Sequence, residues 1–114
     1  MSSAIGTYQY TAPEILDEDL GDGTVRPSCD VYSFGVVVWE MISGKRPWDG
    51  MRPNQIIISV SKGKQLEIPS DWAAEMQGFV SKCLSRDQAS RPSDSQSITI
   101  IWLWLLSHLY TSRV

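Results

Sequence analysis

Residues 31–42 read VYSFGVVVWEMI, apolar on nearly every face that a helix could present. A helix of that kind is stable only when protein surrounds it, so it belongs at the centre of whatever this chain builds. Its ends are legible. Ser28 is suited to cap it and Asp30 falls in its first turn. Gly44 just past the last apolar residue is a natural stop, and Lys45, Arg46 and Pro47 put cations at the helix end and forbid continuation.

The rest of the chain reads as mainly α around this centre. Residues 6–20 carry Gly, Thr, Tyr and Pro punctuation before the acidic run Asp17, Glu18 and Asp19, an irregular segment passing into a short helix. A glycine- and charge-rich loop follows over 21–26. Pro53 can open a further helix and Gly63 can close it, yet Ile56, Ile57, Ile58 and Val60 are β-branched and suit a strand, so periodicity leaves both open. Over 70–84 the spacing of Trp72, Met76, Phe79, Val80 and Cys83 predicts an amphipathic helix capped by Ser70 or Asp71. Residues 86–92 read as a loop, and 98–109 (ITIIWLWLLSHL) form a short, very apolar stretch.

With 42% hydrophobic residues in 114, the composition supports a packed core. A net charge of -3 gives no positive field to draw nucleic acid, so no nucleic-acid partner is expected. Cys29 and Cys83 stand apart with no CxxC pair, and His108 has no carboxylate or thiol partner near it, which argues against zinc and disulfides and for reduced, buried thiols. The opening MSSAIGTYQYTAPE lacks the basic start and apolar run of a secretory signal, so a cytoplasmic location is expected. Trp39, Trp48 and Trp72 read as core rather than a stacking platform.

Three clusters in fixed order carry a family resemblance. They are Gly6-Thr7-Tyr8-Gln9-Tyr10-Thr11-Ala12-Pro13-Glu14, then Asp30-Val31-Tyr32-Ser33-Phe34-Gly35 running to Trp39-Glu40, then Arg91-Pro92-Ser93. Together they resemble a eukaryotic protein kinase: the end of the activation segment with its Ala-Pro-Glu signature, the buried helix F of the large lobe, and the Arg-Pro before the last helix. The central wording most resembles the tyrosine-kinase-like group of Ser/Thr kinases. The implied fold is a partial large lobe, the end of the activation segment plus helices resembling F to I. The resemblance gives 1–97 as the C-terminal part of a kinase domain and 98–114 as a divergent apolar tail forming a final helix.

The resemblance implies a role for each matched residue. Glu14 and Arg91 match a buried ion pair that ties the activation segment to the loop before the last helix; Asp30 matches the aspartate that accepts hydrogen bonds from the catalytic-loop backbone. Ala12, Pro13, Gly35 and Trp39 match structural positions. Thr7 matches the threonine directed at the catalytic aspartate and lysine, and Gly6, Thr7, Tyr8, Gln9, Tyr10 and Thr11 match the surface that docks the protein substrate, in a form that favours Ser/Thr specificity. Ser2 and Ser3 read as a solvated end rather than a phosphosite.

Phosphoryl transfer needs a glycine-rich loop, a lysine, an aspartate base and metal-binding Asp and Asn side chains, and no such set occurs in these residues. No catalytic, metal or cofactor residue is therefore expected in this chain, and it is expected to be inactive alone; ATP and Mg are implied only for a complete parent kinase. An incomplete lobe would expose apolar surface, which predicts aggregation or a partner, either a protein substrate or another kinase. A non-catalytic kinase-like interaction module is the alternative function. A membrane-surface role for 98–109 is a third, with membrane association not expected because the run falls short of the about 18 residues needed to span a bilayer.

Overall fold

The computed structural model describes residues 8–21 and 26–112. Among them the chain is mainly α, with α1 (Pro13–Leu16), α2 (Pro27–Ser43), α3 (Pro53–Ser61), α4 (Ala74–Cys83) and α5 (Asp94–Ser112). Short 3-10 turns stand at Tyr8–Tyr10, Glu18–Leu20 and Gln88–Ser90. No strand occurs among the described residues.

Helix α2 is the hub, packing on α4, α5 and the turns at Tyr8–Tyr10 and Gln88–Ser90. Val31, Tyr32, Val36, Val38 and Trp39 are buried against Met76, Phe79, Val80, Cys83 and Leu84. The two helices touch where Gly35 meets Cys83: a Cβ on Gly35 would lie 2.5 Å from the Cys83 Cβ. Phe34 and Phe79 meet edge to face at 6.4 Å between centroids. Trp39 also donates its indole N–H to the Glu67 carbonyl at 2.8 Å, pinning the extended segment around the buried Leu66.

The helix is not enclosed all round, as its composition suggested. Asp30, Val37 and Met41 are exposed and Phe34 is half-buried, at i, i+7, i+11 and i+4, so one continuous stripe of α2 faces solvent. Its start also differs from the expected serine cap. Arg26 holds the cap position in extended backbone, and Pro27, whose ring fixes φ, begins the helix. Ser28 instead donates to Gln88 Oε1 at 3.0 Å. At the other end Gly44 adopts φ 71° and donates its N–H to the Glu40 carbonyl at 2.9 Å, the left-handed stop that glycine supplies.

Packing decides the segment that periodicity left open. Residues 53–61 are helical because Pro53 starts α3, Gln55 accepts the Arg52 N–H at 2.9 Å, and Ile56 and Val60, one turn apart, are buried as α3 packs on α1 and the Tyr8–Tyr10 turn. Helix α4 begins at Ala74 rather than near Ser70, and neither Ser70 nor Asp71 caps it. Gln77 donates to the carbonyls of Ser70 (3.0 Å) and Trp72 (2.6 Å), folding the preceding turn back on the helix so that Trp72 packs on the core from outside it.

Helix α5 runs unbroken across residue 97, where the apolar tail was expected to begin. Ser93 and Gln96 form a reciprocal capping box, Ser93 Oγ accepting the Gln96 N–H at 3.2 Å and Gln96 Oε1 the Ser93 N–H at 3.0 Å. Ser97, Ile101 and Trp104 face the lobe, whereas Ile98, Trp102, Leu103 and Leu106 are exposed. Among the described residues no helix is long and apolar enough to cross a membrane.

Candidate functional site

Ala12 and Pro13 are buried at the entry to α1, and Pro13 at the first helical position leaves Glu14 in the first turn pointing inward. Arg91 is delivered from the other end of the sequence by the Gln88–Ser90 turn, which Asp87 caps through the Ala89 N–H at 3.2 Å and the Ser90 hydroxyl at 2.9 Å. The two side chains meet in a bidentate pair, Nη1 to Oε2 at 2.7 Å and Nη2 to Oε1 at 2.9 Å. The side chains are 0% and 4% exposed, so water does not share the interaction.

The remaining hydrogen-bond capacity is spent locally. Arg91 Nε donates to the Ser85 carbonyl at 2.8 Å and Nη1 also reaches the Ser28 carbonyl at 3.0 Å. The Cys29 thiol donates to Glu14 Oε2 at 3.1 Å, and the guanidinium carbon stands 5.1 Å from the Tyr32 ring centroid, within cation-π range. One pair thus ties α1, the first turn of α2 and the chain leaving α4. Burial alone would push the Glu14 carboxyl up; hydrogen bonds from Arg91, its own backbone and Cys29, with the Arg91 charge, outweigh that and hold it below the usual range. Burial pushes the Tyr32 phenol and the Cys83 thiol up to about 12. Burial also raises the Cys29 thiol.

These shifts set a pH dependence with two arms. A carboxylate whose folded pKa lies below its ordinary 4.5 contributes stability present above pH 4.5 and lost as pH falls through the depressed value. Acidic groups raised to about 12 act in the opposite sense: their ordinary values are 9.0 for Cys83 and 10.0 for Tyr32, so unfolding gains from ionisation above those values. Urea midpoints measured across pH are expected to plateau between about pH 5 and 9 and fall on both sides. The acid arm should shrink in Glu14→Gln.

The docking segment lies beside this anchor. The Tyr8–Tyr10 turn packs on α2 and α3, and Tyr10 is held at two points. Its carbonyl accepts the Ser33 hydroxyl at 2.6 Å and its own hydroxyl donates to Glu40 Oε1 at 2.5 Å. The hydrogen bond to Glu40, then burial, then the Glu40 charge raise the Tyr10 phenol. Tyr8, Gln9 and Thr11 are half-buried, and the Thr11 N–H bonds the Tyr8 carbonyl at 3.4 Å. Gly6, Thr7, Ser2 and Ser3 lie outside the described residues, as does the His108 side chain.

The expected site residues therefore fall into separate places. Ala12, Pro13, Glu14 and Arg91 come together; Tyr8 to Thr11 form the adjoining surface; Gly35 and Trp39 are deep in the α2 packing. Asp30 joins neither group. It is exposed, its side chain makes no hydrogen bond or ion pair among the described residues, and with Val31, Phe34, Ser97 and Ile98 it borders a cavity of about 270 Å³. Sequence reasoning missed Ser33 and Glu40 as tethers of Tyr10 and Cys29 as a donor to Glu14. Ser33 and Glu40 stand seven apart on α2 and share a face, which was the available signal.

A helical lobe built on a central apolar helix, cross-tied by a buried Glu-Arg pair next to an Ala-Pro-Glu segment, is the architecture of a kinase large lobe. Comparison with known proteins agrees: residues 2–101 match the family described as protein tyrosine and serine/threonine kinase. The chain belongs to the protein kinase family. It is 39% identical over 97 residues to human mitogen-activated protein kinase kinase kinase 4, covering 84% of this chain and 6% of that protein. It is 36% identical over 92 residues to the probable serine/threonine-protein kinase SIS8 of Arabidopsis thaliana, covering 80% of this chain and 8% of the relative. The serine/threonine-protein kinase CTR1 of the same plant shares 35% over 92 residues, again 80% of this chain and 11% of its own length. The chain thus spans a small fraction of the curated relatives it matches.

Proposed function

We propose that this chain supplies the substrate-docking and scaffold half of a Ser/Thr protein kinase domain and does not itself bind ATP or transfer phosphate. The observation that carries this is the open stripe of α2, with Asp30 at its head. In a largely buried central helix, an acceptor with no partner among the described residues, on the same stripe as exposed Val37 and Met41, is a surface suited to protein that these residues do not include. In a complete domain Asp30 would accept hydrogen bonds from the catalytic-loop backbone. Tyr8 to Thr11, tethered to Ser33 and Glu40, would present the docking surface for a protein Ser/Thr substrate, with a cytoplasmic setting.

ATP and Mg²⁺ would be held by the other half, since the groups that neutralise and position phosphates are not among these residues. Isothermal titration of the folded chain with ATP and Mg²⁺ is expected to give no heat of binding, and radiolabelled ATP no transfer to a generic Ser/Thr protein substrate. Nucleotide-dependent transfer by the purified chain would overturn the proposal.

A further inference from the structure

The outer face of α5 carries an exposed apolar stripe away from the Glu14–Arg91 anchor and the Tyr8–Tyr10 turn, and of its residues Ile98 borders the cavity beside Asp30. Ile98 (65% exposed), Trp102 (62%), Leu103 (61%) and Leu106 (48%) follow one another at i, i+4, i+5 and i+8, so they form a single stripe along the helix. Their opposite numbers Ser97, Ile101 and Trp104 face the lobe, which fixes the helix in place and holds the stripe outward. No Lys, Arg, Asp or Glu occurs over residues 95–107. Thr99 beside the stripe already donates its hydroxyl to the Ser95 carbonyl at 2.8 Å, so covering it strands no donor.

We propose that this stripe is a self-association surface on which a second copy of the chain pairs its own α5, antiparallel and about a two-fold axis near Trp102. Charge selects among occupants. A helix that lies on an anionic membrane needs Lys or Arg on its polar face, and a charged partner needs an opposite charge to meet; this face offers neither. A second copy presents the same neutral apolar surface, and an isologous contact is self-complementary. The four side chains expose roughly 500 Å² between them, so pairing removes on the order of 1,000 Å² in all, where specific interfaces begin. Antiparallel packing opposes the two helix dipoles, and symmetry about Trp102 sets Ile98 of one copy against Leu106 of the other.

Sedimentation velocity of the whole chain over about 1–100 µM tests this, since an interface of that size without a charged anchor belongs to the weak, micromolar class. The expected result is a reversible monomer–dimer equilibrium. Trp102→Ser should weaken it at least about tenfold, as loss of a central aromatic anchor does. Trp102 is exposed, so far-UV circular dichroism of that variant should match the parent. Register is read independently by oxidative cross-linking. Ile98→Cys mixed with Leu106→Cys is expected to give a covalent dimer, and neither variant alone. A monomer throughout, a dimer indifferent to Trp102→Ser, polydisperse aggregates, cross-linking of either variant by itself, or sedimentation with phosphatidylserine vesicles in place of dimerisation would each overturn the proposal.

Discussion

Arg91→Met is expected to unfold the chain or leave it barely folded. The substitution removes one partner of a pair whose side chains are 0% and 4% exposed, and the Glu14 carboxylate is then buried with only the Cys29 thiol and its own backbone to stabilise it. Breaking such a pair costs roughly 3–5 kcal/mol, against about 5–15 kcal/mol for the whole stability of a domain. Three elements lose their tie together, because the same guanidinium also holds the Ser85 and Ser28 carbonyls. Glu14→Gln should cost less, although it leaves the buried Arg91 cation without its counter-charge, since the guanidinium keeps one amide oxygen and the Ser85 and Ser28 carbonyls as acceptors. Replacing both as Glu14→Leu with Arg91→Met should be milder than Arg91→Met alone, because no buried charge remains. Urea denaturation of the three variants measures this. Equal losses from Arg91→Met and the double variant would mean that the pair contributes packing rather than charge compensation.

Gly35→Ala and Gly78→Ala should move stability in opposite directions although both sit inside helices. Alanine is the better helix former by roughly 1 kcal/mol, so with no neighbour within 4 Å of its new methyl, Gly78→Ala is expected to stabilise by about 0.5–1 kcal/mol. At Gly35 the methyl would stand 2.5 Å from the Cys83 Cβ and 3.4 Å from Leu84 Cδ2, and no rotamer relieves a Cβ–Cβ clash. Helices α2 and α4 must separate, at about 1–3 kcal/mol for overpacking and more as Val36 and Val80 lose contact. Moving the methyl across, with Cys83→Gly added, should recover part of the loss. Thermal melts of the single and double variants provide the cycle. A stabilised Gly35→Ala would show that the two helices do not approach as closely as this packing requires.

The sequence made the central helix legible because apolar density, Gly44 and Pro47 act locally, and the kinase resemblance followed from motifs whose order survives without any geometry. What it left open was decided at a distance. The β-branched run of α3 became a helix through burial of Ile56 and Val60 on α1, a contact that no window over residues 53–63 contains. The start of α4 shifted to Ala74 because Gln77 recruits the carbonyls of Ser70 and Trp72, so a capping serine turned into an acceptor. The exposure of Val37 and Met41 ran against the expectation that α2 would be covered on every side, since composition reports what a helix needs and not how much of the partner surface the chain supplies. In the site, Arg91 and Glu14 could be paired through the resemblance, whereas the Cys29, Ser28 and Ser85 partners depend on atomic positions.

The most direct measurement grafts this chain, in frame, behind the ATP-binding and catalytic-loop half of a related Ser/Thr kinase and follows phosphate transfer to a protein substrate. The expected result is a folded, active hybrid in which Asp30→Asn lowers kcat by orders of magnitude, while the urea stability of the isolated chain stays nearly unchanged, because Asp30 is exposed and makes no hydrogen bond or ion pair among the described residues. A hybrid that folds, binds ATP and transfers no phosphate, or one indifferent to Asp30→Asn, would contradict it.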